Sequence, residues 1–460
     1  MSKTPSGAAH CAAIVCMCAA LFLIAAVPVA SAQSVDELPV ITLAPAVVYA
    51  AAQTAPAEPP PAQTTPPPPA QPPAQATVDP VPDNPKTRLE IYGFTMLDNG
   101  YEFEVEDPLW SDVLRPTKLP AFEGQFGRDG HWFSDVKQSR LGVRSFTPTD
   151  LGELRTIFEF ELFGTGVDAG QTTFRLRHAW GELGKWGAGQ TWSPFMDPDV
   201  FPNSIEYWGP NGMVFFRNVQ LRWMPWTSDN SHFWVALERP GASADQGNFA
   251  DRIELENVLG RFPAPDLSAR YRYADDWGHV QLAGIARYMT WDDLLEDDPF
   301  DLNGHDWGWG VNLSSNIKVG KHVAKLQAVY GEGIENYMND APVDVGIVTN
   351  FGDPRRPIIG EALPVLGIVA FMDFNWSDKW TSTAGYSRVD IQNSDGQRAD
   401  AFRHGQYALA NLLYYPVEDV MAGGEVQWGD RENFLDGFTS HDLRIQFSVR
   451  WNFSLSIGGN

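Results

Sequence analysis

The sequence predicts an all-β fold: a transmembrane antiparallel up-and-down β-barrel of about 16 strands, with short periplasmic turns and long extracellular loops. Three observations predict it. Short segments alternate apolar and polar side chains from Thr87 to the end. The connections between them sort by parity into short and long. Aromatic residues gather beside the short ones.

The closing segment, "HDLRIQFSVRWNF" (441–453), shows the first observation. Leu443, Ile445, Phe447, Val449, Trp451 and Phe453 alternate with Arg444, Gln446, Ser448, Arg450 and Asn452. A period of two makes a strand with one apolar face and one wet face. A soluble sandwich also alternates, so the connections must decide between sandwich and barrel.

The elements follow in chain order. Residues 1–32 carry one cation (Lys3), the apolar "CAAIVCMCAALFLIAAVPVA" and the small-residue "ASA", the pattern of a cleaved signal peptide. Cys11, Cys16 and Cys18 all lie in it, so disulfides and thiolate chemistry are excluded from the mature chain. Residues 33–86 are rich in Pro, Ala and Gln and cannot bury a core, which predicts a periplasmic linker or tether.

The third region, 87–460, is the barrel domain. Strands are expected at 88–97, 138–146, 153–163, 174–183, 186–192, 214–223, 231–237 and 266–274. Eight more are expected at 279–289, 306–315, 322–331, 362–374, 380–389, 406–415, 419–428 and 441–453. Every second gap is short, such as "GKW", "DDWG" and "NWSDK". The alternate gaps are mostly long, including 98–137, 193–213, 238–265 and 332–361. A sandwich has no reason to sort loops in this way, whereas an outer-membrane barrel does. Trp223, Trp226, Trp376, Trp380, Tyr414, Tyr415, Trp451 and Phe453 flank short turns, as an interfacial girdle would.

With the apolar set facing lipid, parity assigns the polar set to a water-filled lumen. Arg140, Arg144, Arg155, Glu159, Glu161, Arg175, Arg177, Arg222, Arg270, Arg272, Arg287, Lys325, Arg444 and Arg450 then line the pore, while Phe174, Leu176 and Trp180 face out. Removing 1–32 takes away one lysine and no acid, leaving 32 basic against 58 acidic residues. Such an excess excludes a nucleic-acid binder, and the cations concentrate on the walls while acids concentrate in loops. The segment 193–212 is rich in Pro, Gly and aromatics, hence compact. Folded inward, it sets Asp197, Asp199 and Glu206 against the wall arginines as a constriction; an ordinary surface loop is the alternative. The acidic 291–306 reads as a solvated loop bridged to lipopolysaccharide rather than as a metal site. No metal and no cofactor are expected.

"QSRLGVR", "FEFELFG", "FRLRHAWGEL", "GQTWSPFMD", "GGEVQWGDREN" and "RIQFSVRWNF", in this order, resemble the DcaP-like porins of Gram-negative bacteria over roughly 87–460. The resemblance implies a sixteen-stranded homotrimeric outer-membrane porin passing small, often anionic, organic solutes along arginine-lined walls. Two departures stand out. The family's N-terminal coiled-coil stretch is replaced by a proline-rich one, and "SLSIGGN" follows Phe453.

The expected function is passive diffusion of small polar, anionic solutes, without catalysis. The expected partners are outer-membrane lipid, lipopolysaccharide, the solutes and the barrel assembly machinery, which would read the C-terminal strand. An envelope tether or adhesin acting through 33–86 is the alternative. A barrel hydrolase is a further one, but G-x-S-x-G and H-E-x-x-H patterns are absent.

Overall fold

The computed structural model describes residues 87–295 and 299–458. The expected signal peptide and proline-rich segment lie outside them, as do 296–298 of the acidic loop and 459–460.

Sixteen strands close into one antiparallel barrel. In chain order they are β1 (Arg88–Glu102), β2 (Arg140–Thr149), β3 (Gly152–Phe163), β4 (Thr172–Leu183), β5 (Trp186–Trp192), β6 (Arg217–Thr227), β7 (Ser231–Glu238) and β8 (Asp266–Asp275). Then come β9 (Gly278–Asp293), β10 (Gly304–Val319), β11 (His322–Glu332), β12 (Pro364–Ser377), β13 (Trp380–Ile391), β14 (Phe402–Tyr414), β15 (Val420–Asn433) and β16 (Thr439–Gly458). Each pairs with the next, and β16 pairs with β1. Every predicted segment is one of these strands.

Closure removes both sheet edges and satisfies each backbone group within the sheet, the condition for crossing lipid with strands. The connections 150–151, 184–185, 228–230, 276–277, 320–321, 378–379 and 415–419 lie at one end of the barrel, with both ends of the described chain. The connections 103–139, 164–171, 193–216, 239–265, 294–303, 333–363, 392–401 and 434–438 lie at the other. The long loops carry strands of their own: His131–Asp135 on β1, Val258–Arg261 on β9, and a hairpin of Val345–Thr349 with Ile358–Ala362.

Leu141, Phe158, Phe174, Leu221, Leu267, Leu282, Leu313, Ile368, Leu412 and Phe447 are all exposed on the outer face. An apolar surface of this extent fits hydrocarbon, not water. At the short-turn end, outward rings pair as Trp186–Trp223, Phe374–Trp376 and Trp380–Tyr414, the last at 4.5 Å. Tyr415 is the exception among the expected girdle residues: its hydroxyl turns inward, 3.4 Å from the Asn203 amide.

The stretch "SLSIG" (454–458) belongs to the sheet. β16 runs to Gly458, with Ser454 opposite Tyr92 and Gly458 opposite Arg88. Leu455 and Ile457 stay exposed on the outer face, so the period of two continues past Phe453.

Candidate pore and its folded-in loop

The loop 193–216 turns into the barrel and follows its inner wall. Wall side chains take up its backbone carbonyls in succession. Asn312 donates to the Phe195 carbonyl at 2.8 Å, Gln281 to Met196 at 3.0 Å and Lys325 to Phe201 at 2.5 Å. Asn411 donates to Asn203 at 2.8 Å and Gln446 to Ile205 at 3.0 Å. A loop drawn into an interior must find such partners, because an unpaired buried carbonyl is costly.

The apolar side of the loop explains where it sits. Phe195, Met196, Val200, Met213 and Val214 pack against Ala283, Ile285, Val329, Val369, Phe371, Val389 and Leu409 on the inner faces of β9 to β14. Part of the barrel, between β9 and β14, thus has an apolar interior arc, where parity alone expects polar lining. The sequence carries the sign of it: "ALPVLGIVAFMDF" is apolar at both parities, as a strand buried on both faces must be.

The opposite arc holds the charge. Glu159 and Glu161 stand on β3. Arg177 on β4 donates to both, Nε to Glu159 at 2.7 Å and Nη1 to Glu161 at 2.5 Å. Arg140 on β2 lies 3.7 and 3.6 Å from the same pair, and Arg175 and Arg217 lie 3.7 and 3.6 Å from Glu161. Four guanidinium groups therefore surround two carboxylates. Nη1 of Arg217 and Nε of Arg140 are buried without a hydrogen-bond partner. Tyr92 donates to Glu159 at 2.7 Å, and Tyr207 of the loop donates to Glu161. Burial and the Glu161 carboxylate push the Tyr207 phenol above its ordinary pKa, keeping it a donor.

Beside this cluster a second group of cations stacks on rings. Arg222 sits between Trp180 and Trp234, 4.8 and 4.6 Å from their centroids, and Arg270 lies 3.7 Å from the Trp234 centroid. A desolvated guanidinium on an aromatic face keeps its charge while giving up water.

A β-bulge makes the first cluster possible. Glu159 pairs with His178 but Phe160 pairs with Leu176, so β4 carries one residue more than β3 at this point. Arg177 and His178 consequently both face inward. The bulge also inverts parity beyond it, so Trp180, expected on the lipid face, is inside beneath Arg222. His178, Trp180, Tyr92, Tyr207 and Arg217 are among the interior residues that strict alternation misses; only a break in alternation at "RLRHAW" hinted at the first two.

All fourteen residues expected to line the lumen share the inner face in the register, but their surroundings differ. Arg140, Arg155 and Arg175 are partly open; Arg144 lies over the Tyr92 ring. Arg287 is fully buried between Asp266 and Asp344, at 3.1 and 2.8 Å, tying loop 333–363 to the wall. Lys325 pairs with Asp373 at 2.9 Å. Arg444 is buried over the Phe133 ring at 4.4 Å, while Arg450 stacks on Phe94. These last cations serve packing rather than an open surface.

The three loop acids also differ from the expectation of carboxylates facing arginines across a gap. Asp197 is buried, held by His279 and Ser314 at 2.7 Å each and Arg272 at 3.3 Å. Burial alone would raise its pKa, but these partners outweigh it and hold Asp197 below the usual aspartate value. Among the described residues, Glu206 forms no ion pair with an arginine. It accepts from the backbone N–H of Leu114 and Trp208, at 3.2 and 2.9 Å, and from Gly209, while burial raises its pKa. Only Asp199, half-exposed and paired with Arg272, borders open space. The cluster side of the loop borders a cavity of ≈ 280 Å³ lined by Arg175, Tyr207, Trp208, Arg217 and Asn339.

The DcaP outer membrane protein family profile matches residues 70–453, most of the chain. The chain belongs to the DcaP outer membrane protein family. Among solved structures, the outer membrane channel DcaP of Acinetobacter baumannii superposes with a TM-score of 0.65 at 21% identity, covering 80% of this chain and 98% of that one. The anion-selective porin from Comamonas acidovorans follows the same fold, with a TM-score of 0.52 at 9% identity, covering 80% and 100%. No curated protein matches. Family and fold together make this DcaP-family chain an outer-membrane channel.

Proposed function

We propose that the channel passes small anionic solutes by passive diffusion, and that the arginines around Glu159 and Glu161 are the group that attracts them. One observation carries the reading: Arg140, Arg175, Arg177 and Arg217 exceed the two carboxylates they surround, with guanidinium nitrogens left unpartnered. An uncompensated positive field in a narrow, low-dielectric passage concentrates anions there. No catalytic step is needed. The loop acids, which make the whole chain acidic, lie mainly outside this passage. Orientation with the short turns and 33–86 in the periplasm, lipid and lipopolysaccharide around the outer belt, and a homotrimer complete the proposal.

Planar bilayers under a salt gradient test it. The reversal potential is expected on the anion side, to shift toward zero in Arg175→Ala, and insertions are expected to close in three equal steps. A cation-directed reversal potential would defeat the selectivity, and single-step closure would defeat the trimer.

A further inference from the structure

Away from the arginine cluster, the long-loop end of the closing seam holds three buried acids. Glu102 ends β1, Asp442 stands on β16, and Glu106 lies in loop 103–139. Their exposures are 1%, 0% and 1%, and one carboxylate oxygen from each lies within 4.8 Å of the others.

Their hydrogen bonding is one-sided. Glu106 uses Oε1 to accept from the Arg115 N–H at 3.1 Å, and Asp442 uses Oδ1 to accept from the Glu104 N–H at 3.1 Å. Oε2 of Glu106, Oδ2 of Asp442 and Oε1 of Glu102 are buried with no hydrogen-bond partner. The backbone therefore holds two of the carboxylates in place, and each of the three acids keeps a buried oxygen without a hydrogen-bond partner. Arg444 offsets one charge, with Nη1 3.7 Å from Glu102 Oε1, but none of its guanidinium nitrogens makes a hydrogen bond. In their ionised form, three buried acids beside one cation carry an excess of two negative charges, which a low-dielectric site cannot hold uncompensated.

We propose that Glu102, Glu106 and Asp442 form a binding site for one divalent cation, calcium by preference. The donor set is all oxygen, which suits a hard cation, and calcium takes ligands at about 2.3–2.6 Å. Oxygens bound to one such ion stand at most about 5.2 Å apart, and the three here lie within 4.8 Å of one another. A charge of two balances the excess. The ion would join the last residue of β1, β16 and the long first loop, and so clamp the seam where the barrel closes. The acidic 291–306, the segment weighed as a metal site from sequence, has no part in it.

The full-length protein folded in detergent, stripped with a chelator and titrated with calcium, tests the proposal. The melting midpoint is expected to rise with calcium and saturate, and the rise is expected to vanish in Glu106→Gln and in Asp442→Asn. Crystals grown with manganese alone should show an anomalous peak between the three carboxylates. A calcium response undiminished in Glu106→Gln, or no anomalous peak at this point, would overturn the site. A wild type indifferent to calcium and less stable than Glu106→Gln would overturn it as well, showing that protons compensate the acids.

Discussion

At the scale of residues, Arg177 is the junction of the charge cluster. It is 5% exposed and is the group that hydrogen-bonds both Glu159 and Glu161. Arg140, Arg175 and Arg217 stay 3.6 Å or more from these carboxylates and cannot replace a bidentate contact. Arg177→Ala should therefore cost about 3–5 kcal/mol, the usual result of breaking a buried pair from one side. Arg177→Lys should recover little, since one ammonium cannot reach both acids with the geometry of a planar fork. Unfolding of both variants, followed by the heat-dependent mobility of the barrel on gels, checks this; a midpoint equal to wild type would contradict it. Sequence alternation placed Arg177 inside but not His178 or Trp180. The extra residue that sets the bulge has meaning only against the strand it faces.

At the scale of elements, the loop 193–216 decides the width of the passage. It lies tightly against the wall at Gly212, whose N–H donates to Ser387 Oγ at 2.9 Å. A Cβ there would meet the Arg388 carbonyl oxygen at 2.1 Å and the Ile368 nitrogen at 2.9 Å. Both are backbone atoms of paired strands, β13 and β12, and neither can move aside. Gly212→Val should lift this part of the loop from the wall, opening space beside Met213 and Val214. Single-channel recording should then show a larger and noisier conductance, and an unchanged open level would refute the role given to the loop. The compactness of this loop was legible from its Pro, Gly and aromatic content. Which arc it would cover was also written in the two-sided apolar run of β12, but a rule assigning every apolar residue to lipid conceals that sign. Asp197 and Glu206 could not have been placed from sequence. Their partners, His279 and Leu114 among them, come from distant segments that only the closed barrel brings together.

At the scale of the whole molecule, closure depends on the β1–β16 seam. Fifteen consecutive residues of β1 pair with β16, and the stretch 88–92 pairs with 454–458. The same stretch of β1 is bonded on its other side to β2, with Arg88 opposite Phe146 and Tyr92 opposite Gly142. Deleting everything after Phe453 would thus leave β1 in the sheet but open one of its edges where the barrel meets the membrane surface. Unpaired strand edges are unfavourable near lipid, because the freed N–H and C=O groups lose partners that water only partly replaces there. Leu455 and Ile457 would leave the outer belt at the same time. The truncated chain should reach a lower folded fraction in detergent and lose its heat-resistant mobility at lower temperature. The full-length chain carrying Leu455→Ser and Ile457→Ser separates the two contributions. It keeps every backbone pair, so a smaller loss than in the truncation would assign the remainder to the seam. Equal losses would mean that the apolar belt alone holds the end of β16, and an unimpaired truncation would mean that the seam closes without it.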